Sequence, residues 1–141
     1  MKIADPWKQI ITEQFLKTTI RTPSRFSLPP SSQRFLLEQM CRAFPLNKSI
    51  QIRPLRLAGL RAEELKPKTE ATQLILHIHG GAFFLGSMNT HRAFVSDLAA
   101  STQMQVIHLD YPLSPEHPYP EAIDALFDVY LLLLEQGIQA K

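Results

Sequence analysis

Leu74-Ile75-Leu76-His77-Ile78-His79-Gly80-Gly81-Ala82-Phe83-Phe84-Leu85-Gly86 is the stretch on which the reading of this chain turns. Residues 74–79 form a nearly continuous apolar run, the pattern of a parallel strand buried on both faces. Two consecutive glycines end it, and a helical pattern over 90–101 follows, with Phe94, Val95, Leu98 and Ala99 on one side. Val106-Ile107-His108-Leu109 reads as a second buried strand. Residues 121–136 then read as a helix, with Pro120 at its first turn, Glu121 and Asp124 at its positive end and Gly137 as its C-cap. Strand, helix, strand, helix predicts an α/β fold with a mostly parallel sheet flanked by helices.

Upstream, Ile50, Ile52, Leu55 and Leu57 alternate loosely with polar residues, and Pro54 argues for an edge strand. Gly59 turns the chain toward a short segment, 62–65, and 66–70 is a polar link. Trp7, Ile10, Ile11, Phe15 and Ile20 have near-helical spacing, which predicts a helix over 5–20 that stops before Pro23. Ser31 or Ser32 is the expected N-cap of a second helix carrying Phe35, Leu36, Met40 and Phe44 and ended before Pro45.

With 45% hydrophobic and 20% charged residues in 141, the chain has material for a packed core, and intrinsic disorder is excluded. Its formal charge of +2 is unevenly spread, +8 over residues 1–68 and −6 over 69–141. The basic residues, Lys8, Lys17, Arg21, Arg34 and Arg53 among them, stand singly and without interleaved aromatics, so no nucleic-acid partner is expected. They read instead as solvated helix faces, complemented by the acidic half on packing. The lone cysteine, Cys41, forms no internal disulfide and suits a reducing compartment. No apolar segment follows Lys2 as a secretory signal would require, and the longest apolar run, 129–134, is six residues against the roughly 20 that span a bilayer. The expectation is a cytoplasmic protein with no transmembrane segment.

The glycine junction carries the chemistry. Gly80-Gly81 lets the backbone turn sharply and leave N–H groups outside both elements, where they could hold a developing oxyanion, or simply form a tight strand-to-helix turn. Gly80, Gly81 and Gly86 have the wrong spacing for a dinucleotide fingerprint, and no P-loop Lys follows, so no nucleotide cofactor is expected. His77 and His79 share one strand face and could share a metal only with further ligands, for which Asp110, Glu116 and His117 qualify by type alone. The preferred reading has no metal: His79 hydrogen-bonds the loop it opens, and His77 and His108 are satisfied core residues.

His79-Gly80-Gly81-Ala82-Phe83, followed by Asp110-Tyr111-Pro112-Leu113-Ser114-Pro115-Glu116-His117-Pro118-Tyr119-Pro120-Glu121-Ala122, resembles the hormone-sensitive-lipase-like α/β-hydrolase carboxylesterases and lipases. The resemblance implies a helical cap segment over 1–48 and the N-terminal half of an α/β-hydrolase catalytic domain over 49–141. It also implies that the backbone N–H groups of Gly80, Gly81 and Ala82 build an oxyanion hole supported by His79. Two positions depart from the family pattern: its third glycine is Ala82, and the Arg common after the motif's Tyr is Pro112. Glu116 and His117 match a segment that resembles a structural brace beside the active site.

No Gly-x-Ser-x-Gly elbow exists among Gly59, Gly80, Gly81, Gly86 and Gly137. The family's nucleophile, acid and base are therefore expected outside these residues. One expectation is a serine esterase of small-molecule esters or lipids, for which this chain supplies the oxyanion-hole half and is inactive alone. The alternative is a non-catalytic protein that self-associates, or binds a complementary C-terminal half, through the apolar strand edge 74–78.

Overall fold

The computed structural model describes residues 28–139; the helix expected over 5–20 lies outside the described residues. Ala58 and Gly59, with φ of +46° and +83°, form the two-residue turn of a hairpin between β1 (Ile50–Leu57) and β2 (Leu60–Pro67). Positive φ at both central residues gives a turn whose twist matches that of paired strands. β2 is thus an eight-residue strand, longer than 62–65.

β3 (Leu74–Ile78) and β4 (Gln105–Asp110) complete a four-stranded sheet of order β1-β2-β4-β3. β3 and β4 are parallel, as the intervening helix requires, while β2 meets both β1 and β4 antiparallel. Among the described strands the expected mostly parallel sheet is therefore a mixed one, because a two-residue hairpin can only reverse the chain. Pro54 sits in β1, at the sheet edge where a missing N–H breaks no interior ladder.

The helices are α1 (Pro30–Cys41), α2 (Met88–Thr102) and α3 (Glu121–Glu135). α1 begins before Ser31 with Pro30 in its first turn and no side-chain cap, since proline's missing N–H costs nothing there. α2 starts at Met88 because Ser87 and Thr90 close a reciprocal capping box. Gly137, at φ +84°, ends α3: its N–H reaches the Leu134 carbonyl and the Ile138 N–H reaches that of Leu133. Ile138 then folds back on the core, completing a Schellman motif.

Alternation along β2 and β4 divides the interior. Ala62, Ile107 and Leu109 pack with Ala122, Leu126, Val129 and Leu133 of α3. Leu65 and Val106 pack with Val95 and Ala99 of α2 on the other face. The sheet therefore lies between helices, and the charge halves meet in space: Arg34 pairs with Glu116 at 2.9 Å and Arg61 with Asp110 at 3.6 Å.

Candidate active site

The segment after β3 makes one tight turn. The Gly81 carbonyl accepts from the N–H groups of Phe84 (3.0 Å) and Leu85 (2.8 Å), and Gly81, Ala82 and Phe83 all have positive φ, +130°, +53° and +58°. A Cβ on Gly81 would lie 1.9 Å from the Leu85 oxygen, so only glycine fits. Ala82 and Phe83 occupy the left-handed region with side chains present, at a cost of about 1–2 kcal/mol each. Among the described residues, the N–H groups of Gly80, Gly81 and Ala82 have no acceptor. Gly80 and Ala82 are exposed.

His79 supports this turn from below. It is buried, its Nδ1 lies 3.0 Å from the Gly80 oxygen, and its ring stacks on Tyr111 with centroids 4.3 Å apart. The Tyr111 hydroxyl donates to the His79 carbonyl at 2.8 Å. Gly86 closes the floor: at φ +89°, a Cβ there would stand 2.5 Å from the Gly80 oxygen and 2.7 Å from His79 Nδ1.

Arg34 of α1 grips the same turn from above. Its Nε donates to the Phe84 carbonyl at 2.9 Å, one Nη to the Ser114 carbonyl, and the other Nη pairs with Glu116 at 2.9 Å. A backbone hydrogen bond at Glu116 itself, together with the Arg34 guanidinium, holds that carboxyl below the usual carboxylate range. The expected brace therefore exists at Glu116, whereas His117 turns away to Glu121 at 2.8 Å. Asp110 accepts from the Met88 N–H at 3.2 Å and anchors the positive end of α2.

His77 and His108 depart from expectation. His108 is fully buried and neither of its ring nitrogens has a hydrogen-bond partner; Nδ1 of the half-buried His77 also has none. Their neighbours are other rings. His77 lies edge-on to His108 at 4.7 Å, and His91 of α2 stacks on His79 at 5.4 Å. Glu63 could accept from His108 but is committed to Arg92 Nε at 2.8 and 2.9 Å, leaving its oxygen 3.8 Å from His108 Nδ1. Burial, and then the neighbouring imidazoles, push His108 down to about 3 and His77 to about 4; burial likewise lowers His79 and His91. The carboxylates considered for a metal shared by His77 and His79 are engaged elsewhere. Among the described residues, no three of His, Cys, Asp and Glu are grouped to hold a metal ion.

Sequence reasoning placed His79, Gly80, Gly81 and Ala82 together at the end of β3, where the structure also has them. It missed Gly86, Tyr111 and Arg34 as parts of the site. Gly86 carried a signal in its five-residue spacing from Gly81, and Tyr111 one in its place after Asp110. Arg34 carried none, because its partners lie 50 and 80 residues away.

A strand ending in an exposed glycine turn that opens a helix, with a Pro-rich segment held against it, is an arrangement that α/β hydrolases also have. Residues 75–141 match the family described as alpha/beta hydrolase fold. The chain is 65% identical over its whole length to an esterase of Acinetobacter venetianus, of which it covers 46%, and 37% identical over 54% of its length to an acetyl-hydrolase of Streptomyces hygroscopicus, of which it covers 25%. A crystal structure of an esterase from the bacterial hormone-sensitive lipase family matches 89% of the chain with a TM-score of 0.75 at 32% identity, and 43% of that structure is covered. A crystal structure of EstE5 soaked with p-nitrophenyl butyrate matches 92% at a TM-score of 0.81 and 32% identity, with 44% covered. The chain has the α/β-hydrolase fold over these residues and is similar to esterases of the hormone-sensitive lipase family. It spans less than half the length of each of these relatives.

Proposed function

We propose that the protein is a carboxylic ester hydrolase for which these 141 residues supply the oxyanion-hole half. The observation that carries the reading is the row of unbonded N–H groups at Gly80, Gly81 and Ala82, on a turn that Gly81 and Gly86 make sterically obligatory. In ester hydrolysis a base takes the proton of a serine whose Oγ attacks the carbonyl carbon, the carbonyl oxygen becomes an oxyanion, and the alcohol leaves with that proton as the carbonyl re-forms. Water then cleaves the acyl-serine through a second oxyanion to release the acid and the serine. N–H donors 2.7–3.1 Å from the oxyanion stabilise it, and losing one costs about 2.7–4 kcal/mol. His79 holds the Gly80 carbonyl and so fixes the direction of the peptide that follows it. The serine, its base and its acid are assigned outside these residues, and α1 is the described part of a cap segment, 1–48, ahead of the catalytic half; residues 1–27 of it lie outside the described residues.

The chain alone is inactive in this reading. Besides lacking a Gly-x-Ser-x-Gly elbow, it leaves Gly80 and Ala82 exposed, outside both the cleft of about 810 Å³ beside Arg34 and Tyr111 and that of about 870 Å³ beside β3. The substrate is a small-molecule ester or lipid ester. Among the described residues no helix is long and apolar enough to cross a membrane, and the single Cys41, half-buried with its thiol pushed up by burial, suits the cytoplasm. The test joins this chain to the remaining portion of the Acinetobacter venetianus esterase. Saturable hydrolysis of p-nitrophenyl butyrate and fluorophosphonate labelling are expected of the joined protein and of neither part alone. A folded but inactive joined protein would sink the esterase reading, and turnover by the 141-residue chain would sink the half-site reading.

A second reading, association without catalysis, rests on the free edge of β3. Among the described residues Leu74–Ile78 pairs only with β4, and an apolar groove lined by Leu74, Leu76, Met104, Tyr130 and Leu133 runs beside it. Such an edge takes up a strand from a second copy or from a complementary half. Light scattering decides it: a monodisperse monomer at high concentration, unchanged by the complementary portion, counts against association.

A further inference from the structure

We infer that Arg34 is a positioning residue that sets the shape of the glycine turn from the cap side; the inference deepens the esterase reading and rests on it for its catalytic meaning. Ala82 and Phe83 are held in left-handed conformations that residues with a Cβ seldom keep, and such conformations persist only where the surroundings over-determine them. Two contacts do so. The Ser114 N–H donates to the Phe83 carbonyl at 2.8 Å, and Arg34 Nε donates to the Phe84 carbonyl at 2.9 Å. The same guanidinium donates to the Ser114 carbonyl and pairs with Glu116, so one side chain binds both the glycine turn and the Pro-rich segment that braces it. Its plane also lies 5.9 Å over the Phe84 ring.

Three acceptors at fixed angles need a planar fork of donors. Lysine matches arginine in charge, but its three N–H donors radiate from one nitrogen and cannot span the three acceptors. The orientation of the turn therefore depends on α1 being docked, and the direction in which the Gly80, Gly81 and Ala82 N–H groups point depends on Arg34. Arg34 touches no reacting atom; it acts through the Phe84 and Ser114 carbonyls.

The test compares Arg34→Lys and Arg34→Gln with the parent chain by residue-resolved hydrogen exchange. The Phe84, Leu85 and Ser114 amides, whose bonds close the turn and tie it to the brace, are expected to exchange at least tenfold faster in both variants, with α2 and β4 amides unchanged. If Arg34→Gln fails to fold, Arg34→Lys decides. Unchanged exchange at the turn in Arg34→Lys overturns the inference, and so does an equal rise across α2 and β4, which would mark a general packing role. In the joined enzyme, kcat is expected to fall about tenfold in Arg34→Lys with KM within twofold, and a change confined to KM overturns it. Adding Ala82→Gly, which removes strain from the turn, is expected to restore part of kcat; no recovery counts against the strain argument. An inactive joined parent would refute the esterase reading while the exchange experiment still decides the role of Arg34 in the turn.

Discussion

Tyr111 holds His79 twice, through a 2.8 Å hydrogen bond from its hydroxyl to the His79 carbonyl and through a ring stack at 4.3 Å. The first contact is directional and the second is not. Tyr111→Phe keeps the stack and removes the donor, leaving the His79 carbonyl in a buried site without its partner. The expected loss is about 1–3 kcal/mol. It is measured as a lower urea midpoint with an unchanged slope; an unaltered midpoint would mean that water replaces the hydroxyl.

The glycines of the turn are predicted to separate sharply in stability. Gly81→Ala places a methyl 1.9 Å from the Leu85 oxygen and Gly86→Ala places one 2.5 Å from the Gly80 oxygen, both against backbone and both at positive φ. Each is expected to destabilise by more than about 2 kcal/mol, above the usual range for a surface change. Gly80→Ala meets nothing within 4 Å and should fall within about 0.5 kcal/mol of the parent. Thermal or urea unfolding of the three variants checks the order, and a Gly80→Ala loss as large as that of Gly81→Ala would contradict it.

Ser87 caps α2 and also donates from Oγ to Glu38 of α1 at 2.8 Å. Ser87→Ala removes the N-terminal cap, worth about 0.5–2 kcal/mol, and loosens the contact between α1 and α2. The Thr90 N–H then has no side-chain acceptor, so its hydrogen exchange should rise. Glu38→Ala leaves the cap in place and should cost less, so equal losses in the two variants would refute this division of roles.

Local signals explain what was legible beforehand. The apolar runs of β3 and β4, the alternation of β1, the turn at Gly59 and the Schellman glycine at 137 are all read from residues a few positions apart, and the structure places them accordingly. The start of α1 was misplaced because Ser31 and Ser32 look like caps, whereas Pro30 needs none. The mixed sheet followed from a hairpin whose second strand runs past residue 65. In the site, His79-Gly80-Gly81 was legible as a motif. The Arg34 grip was not, because it depends on how α1 docks. The histidines illustrate the same limit: the spacing of His77 and His79 places them on one sheet face, but only the packing of β4 and α2 brings His108 and His91 against them.

That packing sets the acid response of the fold. His108 at about 3 and His77 at about 4 stay neutral in the folded chain above pH 5, and burial lowers His79 and His91 as well, whereas an unfolded histidine titrates near 6.5. Below pH 6.5 the unfolded chain binds protons that the folded chain refuses, so stability falls with falling pH, by up to about 1.4 kcal/mol per pH unit for each such histidine. The groups facing the cluster do not reverse the sign: Glu63 is committed to Arg92, Arg92 itself pushes His108 further down, and Asp110 raises His79 only in part. Glu116 adds its own loss only below its usual 4.5, so the window from pH 6.5 to 5 belongs to the histidines. Urea midpoints across that window are expected to drop steadily in the parent chain and less steeply in His108→Phe, which puts an aromatic ring without titrating nitrogens in its place. A parent midpoint that stays level from pH 7 to 5 would show that the cluster takes up protons without opening.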